Sequence, residues 1–162
     1  MRHLLLIGLL GASASHLGDP GPARTPPGPP IFRQVSVPPF DAITLGERLP
    51  RRVPPMVRTG RRRAAFAQRL GDADSIFVEW DAGNRVRVLE FLYPSTKSVT
   101  KAVEDYEGIV GVDEQHAVAD SAGQRLERWS WKDQATMFEF SSLTAGEKLT
   151  RVWSVLRDRT GS

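Results

Sequence analysis

Glu127–Phe140, "ERWSWKDQATMFEF", sets two tryptophans, two phenylalanines, two glutamates, an aspartate and a lysine within fourteen positions. Those are the side chains of a small active site, and equally those of a β-hairpin with a core face and a charged face. Alternation decides between the two. Trp129 and Trp131 fall on one side of a strand, and Phe138 and Phe140 share a side beyond a turn near Lys132-Asp133. Glu139 points away from its phenylalanine neighbours, and Glu127 stands at the strand start. Aromatic pairs across two strands give a small sheet the apolar area it needs, and Trp153 of a later strand is expected beside them. The stretch reads as a hairpin.

The neighbouring segments extend this pattern. "SIFVEWD" (75–81) alternates, "AGNR" (82–85) supplies a turn at Gly83-Asn84, and "RVRVLEFLY" (85–93) returns until Pro94 ends it. Ser95 or Thr96 then caps a helix with Val99, Ala102, Val103, Tyr106 and Val110 at helical spacing, closed by Gly108 and Gly111. "DEQHAVADSAG" (113–123) reads as a polar loop. After the aromatic hairpin, "TAGEK" (144–148) turns the chain into a last strand, "LTRVWSVL" (149–156). The order is ββαβββ: an α+β fold, an antiparallel sheet of about five strands with one or two helices packed on it. Before it, "RRRAAFAQRL" (61–70) has the composition of a short helix stopped by Gly71.

Composition divides the chain. Eleven of the twelve prolines lie between Pro20 and Pro55. Residues 1–70 carry 11 arginines, no lysine and 3 acids, whereas residues 71–162 carry 11 basic and 16 acidic groups; nets of +8 and −5 make the overall +3. The opening "MRHLLLIGLLGASAS" has a basic start, a short apolar run and an Ala12-Ser13-Ala14 cleavage pattern, which predicts a signal peptide over 1–14 and export to the periplasm or cell exterior. Residues 15–39 read as a disordered, proline-rich linker, 40–70 as an arginine-rich segment, and 71–162 as the α+β domain. No segment has the length and apolarity of a transmembrane helix. Without cysteine the chain has no disulfide, no thiolate nucleophile and no Cys-based metal site.

"RRVPPMVRTGRRR" (51–63) gathers Arg51, Arg52, Arg58, Arg61, Arg62 and Arg63, the candidate anion-binding residues. Clustered guanidinium groups attract lipid head groups or polysaccharide through charge. The same cluster also fits a compositional preference for arginine, and no aromatic residues interleave to stack nucleic-acid bases. Elsewhere, Asp72 and Asp74 begin like a calcium loop but lack the later oxygen ligands. Asp113, Glu114 and Asp120 are loop carboxylates. Glu79, Asp81, Glu90 and Asp133 could meet on a hairpin face, though acid–base chemistry needs a cleft to shift them. His116 has no evident partners, and His16 lies in the linker. No catalytic, cofactor-binding or metal-binding residue is expected.

"VEWDAGNRVRVLEF" (78–91) and "RWSWKDQATMFEF" (128–140) share a Trp, an Asp, a turn and a closing Glu-Phe, as two diverged helix-plus-hairpin units would. "AITLGERL" (42–49), "WSWKD" (129–133) and "TMFEF" (136–140) resemble small exported bacterial helix-on-sheet domains, of the SmpA/OmlA type and the β-lactamase-inhibitor-like type. The chain departs from them in lacking a lipidated cysteine and in placing proline and arginine over 50–63, where those domains start a helix. The resemblance implies binding to other proteins and assigns no site residue. The expected function is an exported, non-enzymatic protein-binding or envelope-associated module without a cofactor. Its expected docking edges are 76–81 or 149–156. The alternative is an anion-binding surface protein acting through the arginines.

Overall fold

The computed structural model describes residues 34–35, 41–69, 71–110, 115–133 and 135–160. The predicted signal peptide lies outside the described residues, as does the linker except Gln34 and Val35. Two four-stranded meanders make the sheet. The first is β3 (Met56–Gly60), β4 (Arg63–Phe66), β5 (Ser75–Trp80) and β6 (Val86–Tyr93). The second is β7 (Gln115–Ser121), β8 (Gln124–Lys132), β9 (Thr136–Ala145) and β10 (Lys148–Asp158). One helix, α1 (Val99–Val110), joins them. The meanders meet through their last strands in the order β3-β4-β5-β6-β10-β9-β8-β7, antiparallel throughout. A separate ribbon pairs β1 (Gln34–Val35) with β2 (Ile43–Thr44).

The protein is therefore mostly β, and the α+β ββαβββ fold with about five strands is overturned. Three segments account for the difference. "RAAF" (63–66) is β4, not part of a helix at 61–70: Ala64 and Phe66 bury one face while Arg63 and Ala65 take the other. Pairing to β3 and β5 on both sides outweighs the helical preference of alanine and arginine. Residues 115–121 form β7 rather than a polar loop; the strand lies beyond the core, so no apolar alternation marks it. "MVRTG" (56–60) forms β3 at the opposite edge. The helix itself starts later than expected, with Ser98 as its cap: Lys101 N–H donates to Ser98 Oγ at 3.3 Å. It also runs through Gly108.

Register assigns the faces. Trp129 opposes Phe140, Phe140 opposes Ser154 and Ser154 opposes Phe91, while Trp131, Phe138, Leu156 and Leu89 form the next row. This inner face is the core. Tyr106 of α1 covers it, its ring centroid 4.6 Å from Phe138, 5.6 Å from Phe140 and 6.1 Å from Trp131. Its hydroxyl lies 3.4 Å from that of Tyr93, which is 2.9 Å from Ser154 Oγ. Trp153 is on the outer face, correcting its expected place beside the phenylalanines. The outer face also carries an ionic ladder. Arg63 donates to Glu79 and Glu90, each at 2.6 Å, and Arg151 reaches Glu90 at 3.1 Å.

The sheet and its core extend across the 70/71 position. β3 and β4 precede it, and Val35, Ile43, Leu45, Ala64 and Phe66 join the same buried cluster as Val78, Leu89 and Phe140. Gly46 N–H donates to Val86 O and Val86 N–H to Glu47 O, each at 2.8 Å, which fastens this segment to the start of β6. Gly46 has φ +81°, and a Cβ there would stand 3.3 Å from Asp158 Oδ2, so glycine serves both the turn and the close approach. The two proposed repeat units are out of phase with the meanders: 78–91 spans β5–β6, whereas 128–140 spans β8–β9.

Asp158 closes that end of the inner face. Its side chain is 4% exposed, pairs with Arg87, and accepts Thr160 N–H at 3.0 Å and Thr160 O–H at 2.7 Å. Burial alone would raise this carboxyl, but the Thr160 donors and Arg87 outweigh it and hold it below its ordinary 3.8. A lowered folded value means stability that is present above the ordinary carboxylate range and lost as pH falls through the folded one. Asp81 acts in the same direction, lowered chiefly by the Arg85 N–H despite an opposing desolvation. Asp158→Asn should cost about 2 kcal/mol at neutral pH and flatten the acid limb of a urea-unfolding series run downward from neutral pH. An acid limb as steep as wild type would remove Asp158 from that account.

Candidate functional site

The two edges of the sheet differ in how they are guarded. β3 is short, follows Pro54-Pro55, carries Arg58, and its pairing slips between Arg58 and Gly60. Those features discourage another strand from adding to it. β7 is longer, follows no proline and has no slip, and the one acid it carries is Asp120. Its seven residues, Gln115–Ser121, pair with β8 in unbroken register, and all seven are exposed. It contains no proline and no lysine, and Val118, at 44%, is one of two large apolar residues exposed in the described chain. The other, Val57, is on β3.

β8 positions this edge. Its Trp131 end is buried beneath α1, and its Gln124 end projects beyond the core, taking β7 with it. The turn between them is a two-residue one: Ser121 pairs with Gln124, and both Ala122 (φ 50°) and Gly123 (φ 76°) take the left-handed conformation such hairpins require. The His116 ring stacks on Trp129 at 4.8 Å and 7°, and Trp129 is 6.0 Å from Phe140. The edge is thereby tied to the core through one aromatic line.

On the inner face of this wing the charges alternate. Asp120 stands opposite Arg125, Val118 opposite Glu127, and His116 opposite Trp129. Arg125 Nε donates to Glu127 Oε1 at 2.6 Å, and His116 Nε2 lies 4.0 Å from Glu127 Oε2. The hydrogen bond to Glu127 raises the Arg125 value above its ordinary one, with Asp120 adding a smaller charge effect. On the outer face β7 presents small side chains: Ala117 opposes Arg128, which pairs with Glu139 at 3.4 Å, and Ala119 opposes Leu126.

The arginines of 51–63 do not form one patch. Arg63 is engaged by Glu79 and Glu90 and lies over the Phe77 ring at 4.6 Å. Arg58 lies over Trp80 at 5.8 Å and is on the opposite face of the β3–β4 pair. Arg51 and Arg52 are exposed in a bend before β3, and Arg61 and Arg62 are exposed in the β3–β4 turn. Glu79, Glu90 and Asp81 are held by arginines, and Asp133 accepts Ala135 N–H, Thr136 N–H and Thr136 O–H, which closes the β8–β9 turn. Asp113 and Glu114 lie outside the described residues. Among the described residues no group of three or more metal-ligating side chains is present, and no helix is long and apolar enough to cross a membrane.

Both expected docking edges are interior: β5 lies between β4 and β6, and β10 between β6 and β9. Sequence reading missed β7 altogether. The available signal was the two-residue Ala122-Gly123 turn before "QRLERW", which implies a partner strand before it. No protein-family model, curated protein or solved structure matches the chain.

Proposed function

We propose that this is an exported, non-enzymatic binding module that takes up a protein by adding the partner's strand to β7. The observation that carries the reading is the edge itself: seven consecutive exposed residues whose outer side no other described strand pairs. Strand addition draws its affinity from main-chain hydrogen bonds and its selectivity from alternate side chains, here His116, Val118 and Asp120 on the inner face. The resemblance of 42–49, 129–133 and 136–140 to small exported helix-on-sheet domains points toward protein binding as well.

Crosslinking and co-purification from the native cell envelope tests this with two variants of the full chain. Val118→Lys places a charge on the edge, at an exposed position where substitution leaves the fold intact. It should lose the captured protein, while Val57→Lys on the other edge should retain it. Equal retention by both variants would remove β7 from the function.

The alternative reading is anion binding at two exposed arginine pairs, Arg51-Arg52 and Arg61-Arg62, whose exposure favours it, with Arg58 and Arg63 engaged elsewhere. It predicts envelope association that salt releases and that loss of these four arginines abolishes.

A further inference from the structure

The sequence of β7 is self-complementary. We propose that the strand it takes up is β7 of a second copy of this chain, joined edge to edge about a two-fold axis through Val118. The inference rests on β7 being the docking edge and names the partner of that site.

Two antiparallel copies of Gln115–Ser121 pair along their whole length in a single alignment, with Val118 opposite Val118. In that alignment His116 faces Asp120 of the second copy, twice by symmetry. Ala117 faces Ala119, and Gln115 faces Ser121. Sliding the axis by one residue leaves a strand end unpaired and sets His116 opposite Val118, so the polar match of imidazole N–H to carboxylate is lost. The paired residues also share a face, which puts both α1 helices on the same side of one continuous sheet.

The neighbouring strands continue the match. Within each copy Asp120 already stands opposite Arg125, and His116 opposite Trp129. One row across the seam would therefore read Trp129, His116, then the second copy's Asp120 and Arg125. The Asp120 carboxylate would be bracketed by a guanidinium from its own chain and an imidazole N–H from the other. In the central row the two exposed Val118 side chains would cover each other, flanked by Glu127 from each copy, which Arg125 holds. On the other face the alanine pairs offer no obstruction. An isologous contact of this kind closes at two copies and consumes both free β7 edges.

The chain contains no cysteine, so a single introduced thiol reports one contact. Directly opposed residues in an antiparallel pair have Cα atoms roughly 4.5–5.5 Å apart, within the span a disulfide bridges. In the full-length wild type, sedimentation equilibrium should give a dimer. Oxidation of Val118→Cys should give a covalent dimer on a non-reducing gel, and Val57→Cys on β3 should not. Val118→Lys should weaken the dimer by roughly tenfold or more. His116→Asp and Asp120→Lys should each weaken it, and the two together should restore it, because the swap sets an acid opposite a base across the seam.

A monomeric wild type at all concentrations overturns the proposal, as does a dimer that Val118→Lys leaves unchanged or that crosslinks through position 57. Failure of the two readings can be told apart. A monomer whose envelope partner is lost on Val118→Lys keeps β7 as a docking edge and discards only self-pairing. A monomer that retains its partner in that variant discards both.

Discussion

Phe140→Ala should destabilise the protein by about 4 kcal/mol, read as a lower urea midpoint with an unchanged slope. The ring is fully buried on the inner face of β9 and meets Tyr93, Tyr106 and Trp129 at centroid distances of 6.3, 5.6 and 6.0 Å. The cost includes an open cavity because the surroundings cannot collapse. β8 and β10 hydrogen-bond β9 from both sides, and the Tyr106 ring above is held against Phe138 and Trp131. The space left behind stays open, so lost contacts add to lost burial. Against a typical domain stability of about 5–15 kcal/mol this is a large fraction. The same variant should loosen the edge, because Trp129, on which His116 stacks, loses its inner neighbour. A loss under about 1 kcal/mol would mean that α1 can settle onto the sheet, and that the helix is a softer lid than its tyrosine contacts imply.

A chain starting at Gly71 should fail to fold cooperatively, with no sigmoidal thermal transition in circular dichroism where the full chain has one. Such a chain retains β5–β10 and α1, which look like a whole domain by composition. It loses Val35, Ile43, Leu45, Ala64 and Phe66 from the common core, the second and third of them no more than 1% exposed. Burial of each large side chain is worth about 1.5–3 kcal/mol, so the missing set matches the entire stability of an ordinary domain. It also bares the β5 edge, with Ile76 and Val78 uncovered on the inner face. On the outer face Glu79 and Glu90 lose Arg63. A cooperative transition near that of the full chain would show instead that residues 34–69 dress the sheet without holding it.

These two outcomes also mark which parts of the fold could be read from sequence. The hairpins at 75–93 and 126–140, and a helix on Val99, Ala102, Val103 and Tyr106, are legible because each buries one face and shows its own period. β4 is concealed by composition: alanine and arginine favour helix, and only the neighbouring strands make 63–66 extended. β7 is concealed for the opposite reason. A strand exposed on both faces has no burial pattern for the sequence to record, so "QHAVADS" resembles a loop. The candidate site is the least legible part because an open edge is defined by what does not cover it. Of the arginine cluster, the sequence conveys the charge but not its division between the faces, which depends on pairing partners far along the chain.

The meeting of β6 with β10 has a consequence for how the chain is made. The central pair of the sheet joins residues 88–93 to 152–157, and β10 follows every other described strand in sequence. During synthesis β3–β6 emerge first, with β6 as a bare strand flank and Leu89 and Phe91 uncovered. They must wait through some sixty residues of polypeptide for their closing neighbour. Contacts so distant in sequence form slowly, and the half-built sheet is sticky meanwhile. A ribosome stalled before Lys148 would therefore hold the chain with its β6 flank unpaired.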